Sequence, residues 1–147
     1  MKTFKKIFVL LFAAIILTAC SEKEALKSDE AALILSNNGF TVTDVTGQME
    51  DDRISYVASA NNGRFQIEYY VFAKEDDAKE AYESNKESFE NNKTKGKEKK
   101  DETYQKYTQE LSDTYNVLTR VGNTLLYSSV NIEYKKDLND VIKDLGY

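Results

Sequence analysis

The chain has 147 residues, a formal net charge of −5 at pH 7, no histidine and a single cysteine, Cys20. These counts exclude an intramolecular disulfide, a Ser-His-Asp triad and a zinc site built from histidines or several cysteines. The length suits one domain with a hydrophobic core of its own.

The first 19 residues have the features of a secretion signal. Lys2, Lys5 and Lys6 give it a basic start, and an uninterrupted apolar run extends from residue 7 to residue 17. A helix needs about 20 apolar residues to cross a bilayer, so this run is too short to span one. We predict a signal peptide over residues 1–19.

The apolar run ends in Leu17-Thr18-Ala19-Cys20. This tetrapeptide resembles the lipobox of bacterial lipoproteins, in which an aliphatic and two small residues precede an acylated cysteine. The resemblance implies cleavage by a type II signal peptidase between Ala19 and Cys20, and a lipid anchor (diacylglycerol, palmitate) on Cys20. The protein would then lie at the extracytoplasmic face of the cell membrane, held by its acyl chains. The alternatives are an ordinary secretory signal that contains a cysteine, or an uncleaved anchor.

The part of the chain after the leader is acidic. Residues 20–147 carry 17 basic and 25 acidic side chains, a net charge of −8. Nucleic acid and anionic lipid call for basic surfaces, so we expect no nucleic-acid partner and mild repulsion from an anionic bilayer. One basic cluster lies in the segment NNKTKGKEKKDE, residues 91–102. It is interpreted either as a solubilising loop or as a contact for phosphate-bearing polymers of the wall or membrane.

Residues 20–27 are predicted to form a short lipidated tether and residues 28–147 a single domain. Helices are predicted from the 3.6-residue spacing of apolar side chains, and strands from their alternation. The predicted elements are a helix from residue 28 to the Asn37-Asn38-Gly39 stop, strands over 40–46, 53–60 and 64–72, a helix over 75–92, strands over 114–121 and 124–130, and a helix over 133–145. Residues 103–111 fit either a helix or a strand.

This element order predicts an α+β domain. Hairpin-linked strands favour an antiparallel sheet of about five to six strands, with three helices packed on one face. The order is also consistent with a tandem α-β-β-β repeat followed by a last helix, although antiparallel α+β domains can show such an order by chance.

The mature region is similar to small uncharacterised lipoproteins of Gram-positive bacteria. The similarity lies in residues 115–121, in the segment Arg120-Val121-Gly122-Asn123-Thr124-Leu125 and in the final Leu145-Gly146-Tyr147. It implies an envelope location but no defined activity.

The strand over 64–72 provides the candidate binding face. Arg64, Gln66, Glu68 and Tyr70 share one side of it, whereas Tyr69 lies on the apolar side and is assigned to the core. Tyrosine combines apolar area with a hydroxyl and is favoured at interfaces. We therefore predict that these four residues contact an envelope protein or a glycan. The alternative is that the tyrosines fill a half-buried sheet.

Two acidic clusters, Glu50-Asp51-Asp52 and Glu75-Asp76-Asp77, lack the alternating spacing and central glycine of a calcium loop. We expect no metal, no cofactor and no catalytic residue. The favoured hypothesis is a non-enzymatic binding or accessory lipoprotein. The alternatives are an envelope enzyme or cation-binding domain that uses surface carboxylates, and a structural spacer without a ligand.

Overall fold

The structure, a computed structural model, describes residues 22–91 and 93–147. The predicted leader, the cleavage point and the lipobox residues Leu17, Thr18, Ala19 and Cys20 lie outside the described residues. Within the two described ranges, the helices are all too short or too polar to cross a membrane.

The described residues form three α-helices, seven strands and two short 3₁₀ helices at Thr46–Gln48 and Ile132–Tyr134. In chain order the main elements are α1 (Ser28–Asn37), β1 (Thr41–Asp44), β2 (Ile54–Asn61), β3 (Gln66–Phe72), α2 (Glu75–Glu90), β4 (Lys97–Lys100), β5 (Tyr104–Glu110), β6 (Thr114–Val121), β7 (Thr124–Asn131) and α3 (Lys135–Asp144). The strands form one antiparallel sheet in the order β1-β2-β3-β7-β6-β5-β4. The α+β class and the antiparallel sheet are confirmed, and the sheet has more strands than predicted.

The additional strand is β4, which lies inside the segment predicted as a loop. Its sequence Lys-Glu-Lys-Lys has no apolar alternation, and all four residues are exposed. β4 pairs with β5, so the ambiguous segment 103–111 is a strand rather than a helix. A charged edge strand of this kind also discourages pairing with another chain.

The three helices do not share one face of the sheet, which corrects the predicted packing. Leu35 of α1 and Leu138 of α3 belong to a core with Tyr69, whereas Tyr82 of α2 packs with Phe72. Successive side chains of a strand point to opposite faces, so Tyr69 and Phe72 of β3 lie on different sides. We call these sides the α1/α3 face and the α2 face.

Strand β6 explains why both faces need a cover. Every residue from Tyr115 to Val121 is buried, without the alternation of a strand that has one wet side. Such a run is typical of a strand covered on both faces. The tandem α-β-β-β repeat stays a prediction, since three strands follow α1 and four follow α2.

The final tyrosine fastens the tether to the core. The Tyr147 hydroxyl lies 2.9 Å from the Tyr69 hydroxyl and 2.5 Å from Oγ1 of Thr124. It also accepts a hydrogen bond from the Leu26 amide at 3.4 Å, while Tyr69 donates to the Leu26 carbonyl at 2.8 Å. Burial raises the pKa of Tyr69 far above its ordinary value, so the hydroxyl stays protonated. The segment before α1 is therefore docked at the sheet.

Gly96 allows β4 to approach β5. A Cβ atom at this position would overlap the Thr108 carbonyl and the Tyr107 ring. The Gly96 amide donates instead to the Tyr107 hydroxyl at 2.8 Å.

Candidate functional site

The α2 face carries an open groove of about 350 Å³ beside α2, which we call the aromatic groove. Its lining comes from β3, β7, α2, the segment before β2 and the first residue of β2. The lining residues are Asp51, Arg53, Ile54, Glu68, Tyr70, Phe72, Ala81, Asn85, Ser88, Phe89, Leu125 and Tyr127. The volume lies in the range of sites that hold small molecules.

The periodicity of each element places these side chains together. Residues two apart on a strand share a face, which brings Tyr70 and Phe72 of β3 beside Tyr127 of β7. On α2, Asn85 and Phe89 are four residues apart and therefore lie on one side of the helix. The Phe89 ring stacks on Tyr127 at a centroid distance of 5.7 Å. The groove therefore has an aromatic floor fixed by both the helix and the sheet.

Three of the four predicted binding-face residues lie together. The Tyr70 hydroxyl donates to Glu68 at 2.6 Å, and the Gln66 amide donates to the same carboxylate at 3.1 Å. Burial, followed by the bond to Glu68, raises the pKa of Tyr70. Tyr70 is therefore a hydrogen-bond donor at all physiological pH values.

The fourth predicted residue, Arg64, belongs to a different surface. It precedes β3 and forms a 2.6 Å ion pair with Asp137 of α3. Its guanidinium also lies over the Tyr134 ring at 5.7 Å. The alternation rule misplaced Arg64 because the strand begins at Gln66, so its periodicity does not extend to residue 64.

An ion pair closes one end of the aromatic groove. Asp51 accepts hydrogen bonds from Nε of Arg53 at 3.0 Å and from Nη2 at 2.8 Å. The side-chain hydrogen bond from Arg53 lowers the pKa of Asp51. A carboxyl group held ionised in this way is poorly suited to donate a proton.

A second depression continues from the aromatic groove across the sheet. It measures about 230 Å³ and shares Glu68 and Tyr70 with the groove. Val57, Gln48 and the partly exposed Met49 form its other side. Together the two depressions make a cleft suited to an extended ligand.

The α1/α3 face carries a groove of opposite chemistry, about 550 Å³ in volume, which we call the lysine groove. It lies where the helices leave β4 and β5 uncovered. The lining residues are Lys23, Lys97, Lys99, Tyr104, Lys106, Thr108, Lys143 and Tyr147. None of these lining residues is acidic, although the chain as a whole is acidic.

The strand register brings like charges together in the lysine groove. Lys99 of β4 lies directly opposite Lys106 of β5. Burial lowers the pKa of Lys106, and the positive charges of Lys23 and Lys99 lower it further. Like charges directly opposite each other destabilise a strand pair. The groove therefore holds positive charge that its own lining does not neutralise.

The acidic clusters have structural partners. Glu75, in the first turn of α2, lies 3.3 Å from Lys79 and 3.2 Å from Arg120. Asp51 pairs with Arg53, as described above. Across the described ranges, no group of three or more acidic, histidine or cysteine side chains is arranged to hold a metal ion.

Sequence reasoning missed most of both grooves. Asp51, Arg53 and Asn85 come from segments predicted as a connection, a strand and a helix, and their approach to β3 depends on tertiary packing. The lysine groove draws on four separate segments of the chain. Its local signal in the sequence is the basic cluster of residues 91–102, from which Lys97 and Lys99 line the groove because they alternate along β4.

No protein-family model, curated protein or solved structure matches this chain. The assignment of the two grooves as candidate sites therefore depends on their geometry alone.

Proposed function

We propose that the protein is a non-enzymatic lipoprotein of the cell envelope, anchored through Cys20 at the extracytoplasmic face of the membrane, that binds an extended envelope ligand in the aromatic groove. The ligand is a glycan strand or a segment of an envelope protein. The observation that carries the proposal is the aromatic floor of the groove with a hydrogen-bonding rim.

The floor suits the apolar face of a sugar ring or of a peptide side chain. Tyr70 and Phe72 stack at 6.4 Å, and Phe89 and Tyr127 stack at 5.7 Å, so the rings are held in place before any ligand arrives. Rigid aromatic side chains lose little conformational entropy on binding. Glu68 and Asn85 at the rim supply the polar contacts that orient a ligand.

The enzyme alternative has less support. Glycoside hydrolysis needs one carboxyl group with a raised pKa beside a second carboxylate. Of the two carboxylates that line the aromatic groove, Asp51 is paired with Arg53, and its pKa is lowered. Glu68 accepts hydrogen bonds from both Tyr70 and Gln66. Both carboxylates are therefore already engaged within the fold.

The spacer alternative is less favoured because a spacer needs no cleft. Continuity of the 350 Å³ groove with the depression beside Met49 favours a ligand that extends over both.

Site-specific photocrosslinking in intact cells tests the ligand site. A photoreactive amino acid at Ser88, on the groove rim, should crosslink to a glycan or an envelope protein. The same amino acid at Ser36, an exposed position on α1 across the sheet, is the matched control. Equal crosslinking from both positions, or none from Ser88, would contradict the proposed site.

A binding series with soluble cell-wall glycan fragments separates the two ligand classes. Tyr127→Ala should weaken binding about tenfold, as expected for loss of one aromatic contact. Tyr134→Ala removes a half-buried tyrosine on the other face and should not change it. Wild-type protein that binds no fragment, while Ser88 crosslinks to a polypeptide, would identify a protein ligand. Cleavage of the fragments that stops in Glu68→Gln would instead show an enzyme.

The anchor is tested separately. Mass analysis of the membrane fraction should find diacylglycerol on Cys20 and no residue before it. Cys20→Ala should abolish both the lipid modification and the cleavage of the leader. An unmodified thiol in the wild-type protein would disprove the anchor without affecting the groove.

A further inference from the structure

The five lysines of the lysine groove differ from most basic residues of the fold. Arg53, Arg64 and Arg120 each pair with a carboxylate. So do lysines outside the groove, namely Lys79, Lys86, Lys100, Lys135 and Lys136. Among the residues that the structure describes, no carboxylate forms an ion pair with any of the five groove lysines. The groove therefore offers positive charge to an external anion.

β4 shows the difference within four residues. Lys100 points to the α2 face and pairs with Glu83 at 3.2 Å. Lys97 and Lys99 point to the opposite face, into the lysine groove. Glu98 also points away from the groove and pairs with Lys86 at 2.6 Å. The strand therefore directs its carboxylate to the helix and two of its ammonium groups to the open groove.

The docked tether places this groove beside the proposed anchor. The Lys23 ammonium donates to the Gly146 carbonyl at 2.7 Å and lies 4.8 Å from the centre of the Tyr104 ring. Cys20 precedes Lys23 by three residues, which span about 10 Å at most. A lipid on Cys20 would hold the groove close to the headgroups of the same bilayer.

We propose that the lysine groove binds the phosphate headgroups of anionic lipids in the membrane that holds the anchor. The inference rests on the lipid anchor of the proposed function. It reverses the expectation that an acidic domain avoids an anionic surface, because the net charge of the chain conceals one cationic groove. Binding there would fix the orientation of the domain, with the acidic remainder directed away from the bilayer.

The groove chemistry fits a phosphodiester headgroup. Ammonium groups act as point charges for phosphate, and Thr108 and Tyr104 add hydroxyl groups beside them. Each lysine near an anionic surface strengthens attachment, and removal of three is expected to weaken headgroup binding about 100-fold. Binding should also weaken with added salt, because mobile ions screen exposed charges.

Amine labelling of the acylated protein on vesicles tests the proposal. One set of vesicles contains phosphatidylcholine alone, and the other contains phosphatidylcholine with one third phosphatidylglycerol. We expect Lys97, Lys99 and Lys143 to be protected from labelling on the anionic vesicles only. Lys79 and Lys100, on the α2 side, should label equally on both. Equal labelling of the groove lysines on both vesicles would overturn the proposal.

The same experiment separates this inference from the anchor. A protein without acyl chains would not join the phosphatidylcholine vesicles, whereas a protein with chains but no headgroup site would join both kinds of vesicle and show no protection. A third arm adds soluble poly(glycerol phosphate) to the phosphatidylcholine vesicles. Protection by this polymer, without protection by phosphatidylglycerol, would overturn the bilayer assignment.

A charge-matched pair of variants locates the site. K97Q/K99Q/K143Q removes three groove lysines, and K79Q/K100Q/K136Q removes three lysines elsewhere. The first should reduce the protection of the remaining Lys106 at least tenfold, whereas the second should preserve it. Equal loss of protection in both variants would mean that only net charge matters, and it would overturn the assignment of the lysine groove as the headgroup site. The wild-type comparison stays decisive if a variant fails to fold.

Discussion

The two faces of the sheet are stabilised by different means. On the α1/α3 face, helices bury aliphatic side chains such as Leu35, Leu138 and Ile142 against the strands. On the α2 face, buried polar side chains flank a smaller apolar centre of Tyr107 and Leu118. The comparison shows that a sheet covered on both sides can have one core that depends on apolar area and another that depends on satisfied hydrogen bonds.

The polar side chains of the α2 face form two cross-strand pairs. Arg120, which is 1% exposed, donates to Gln105 at 2.6 Å, and Asn116 donates to Gln109 at 3.0 Å. These residues lie directly opposite each other in the register of β5 and β6. Buried polar networks of this kind are stable while every member has a partner.

Arg120→Ala should have the largest effect on stability. It leaves Gln105 and the Glu102 carbonyl without their donor and opens a cavity under α2. We expect a loss of about 4 kcal/mol in the free energy of unfolding, measured by urea denaturation. Arg64→Ala, which breaks an exposed ion pair, should cost less than about 1 kcal/mol. Similar losses in the free energy of unfolding for both variants would show that the buried network stabilises the fold no more than an exposed ion pair does.

Leu138→Ala tests the other face. Truncation of this fully buried side chain removes apolar contacts and leaves a cavity, at a cost of about 3 kcal/mol. Leu33→Ala, at a position 62% exposed on α1, is the control and should change stability by less than about 0.5 kcal/mol. A loss below 1 kcal/mol at Leu138 would mean that α3 contributes little to the core.

Alkaline pH should destabilise both faces. Burial raises the pKa of Tyr69 on one face and of Tyr82 on the other above the ordinary value of 10.0. Above pH 10 the unfolded chain loses these protons while the folded protein keeps them, so stability falls by about 1.4 kcal/mol per pH unit for each tyrosine. Below pH 10 the folded and unfolded chains both keep these protons, so the stability is fully retained.

Thermal unfolding between pH 8 and pH 11.5 measures this loss. Tyr69→Phe and Tyr82→Phe remove one ionisable hydroxyl each and should reduce the slope above pH 10, although Tyr69→Phe loses two hydrogen bonds and Tyr82→Phe loses one. An unchanged slope in both variants would show that ionisation of Tyr69 and Tyr82 does not cause the loss of stability above pH 10.

Tyr147→Phe tests the docked tether. Loss of the hydroxyl removes its contacts with Tyr69 and Thr124 and should lower stability by about 1 kcal/mol. The Leu26 amide should then exchange with solvent faster, because it loses its acceptor. Tyr56→Phe alters a half-buried tyrosine on β2 and serves as the control. Unchanged exchange at Leu26 would mean that the Tyr147 hydroxyl does not fasten the tether.

The smallest expected effect concerns Lys106. Lys23→Gln removes one of the positive charges that lower the Lys106 pKa, so this pKa should rise. Heteronuclear NMR of the lysine side chains measures it. Lys79→Gln, on the other face, should leave the value unchanged, and a fall in the Lys23 variant would contradict the described proximity.

The sequence was sufficient for most individual elements. Apolar alternation located β2 and β3, and the Gly122-Asn123 turn located the hairpin of β6 and β7. It was insufficient for β4, because the pairing of Lys97–Lys100 comes from the neighbouring strand and not from its own side chains. The predicted helix packing was wrong because the sequence of β6 does not show that both of its faces are buried. Asn116, Thr119 and Arg120 are polar, and their burial comes from the tertiary packing.

The candidate sites were less accessible to sequence reasoning than the fold. Gln66, Glu68 and Tyr70 could be grouped because they alternate along one strand. The groove around them could not be inferred, since α2 and the Asp51–Arg53 turn approach from distant positions. Net charge was misleading for the lysine groove, because it averages over both faces.

Gly96 makes the cationic surface vulnerable to a single added methyl group. An alanine there would push the edge strand away from the Tyr107 ring and the Thr108 carbonyl, and so would separate Lys99 from Lys106. Every lysine would be retained, and the isoelectric point would not change. A chain carrying this substitution would thus have an unaltered charge composition and a dismantled anion-binding geometry.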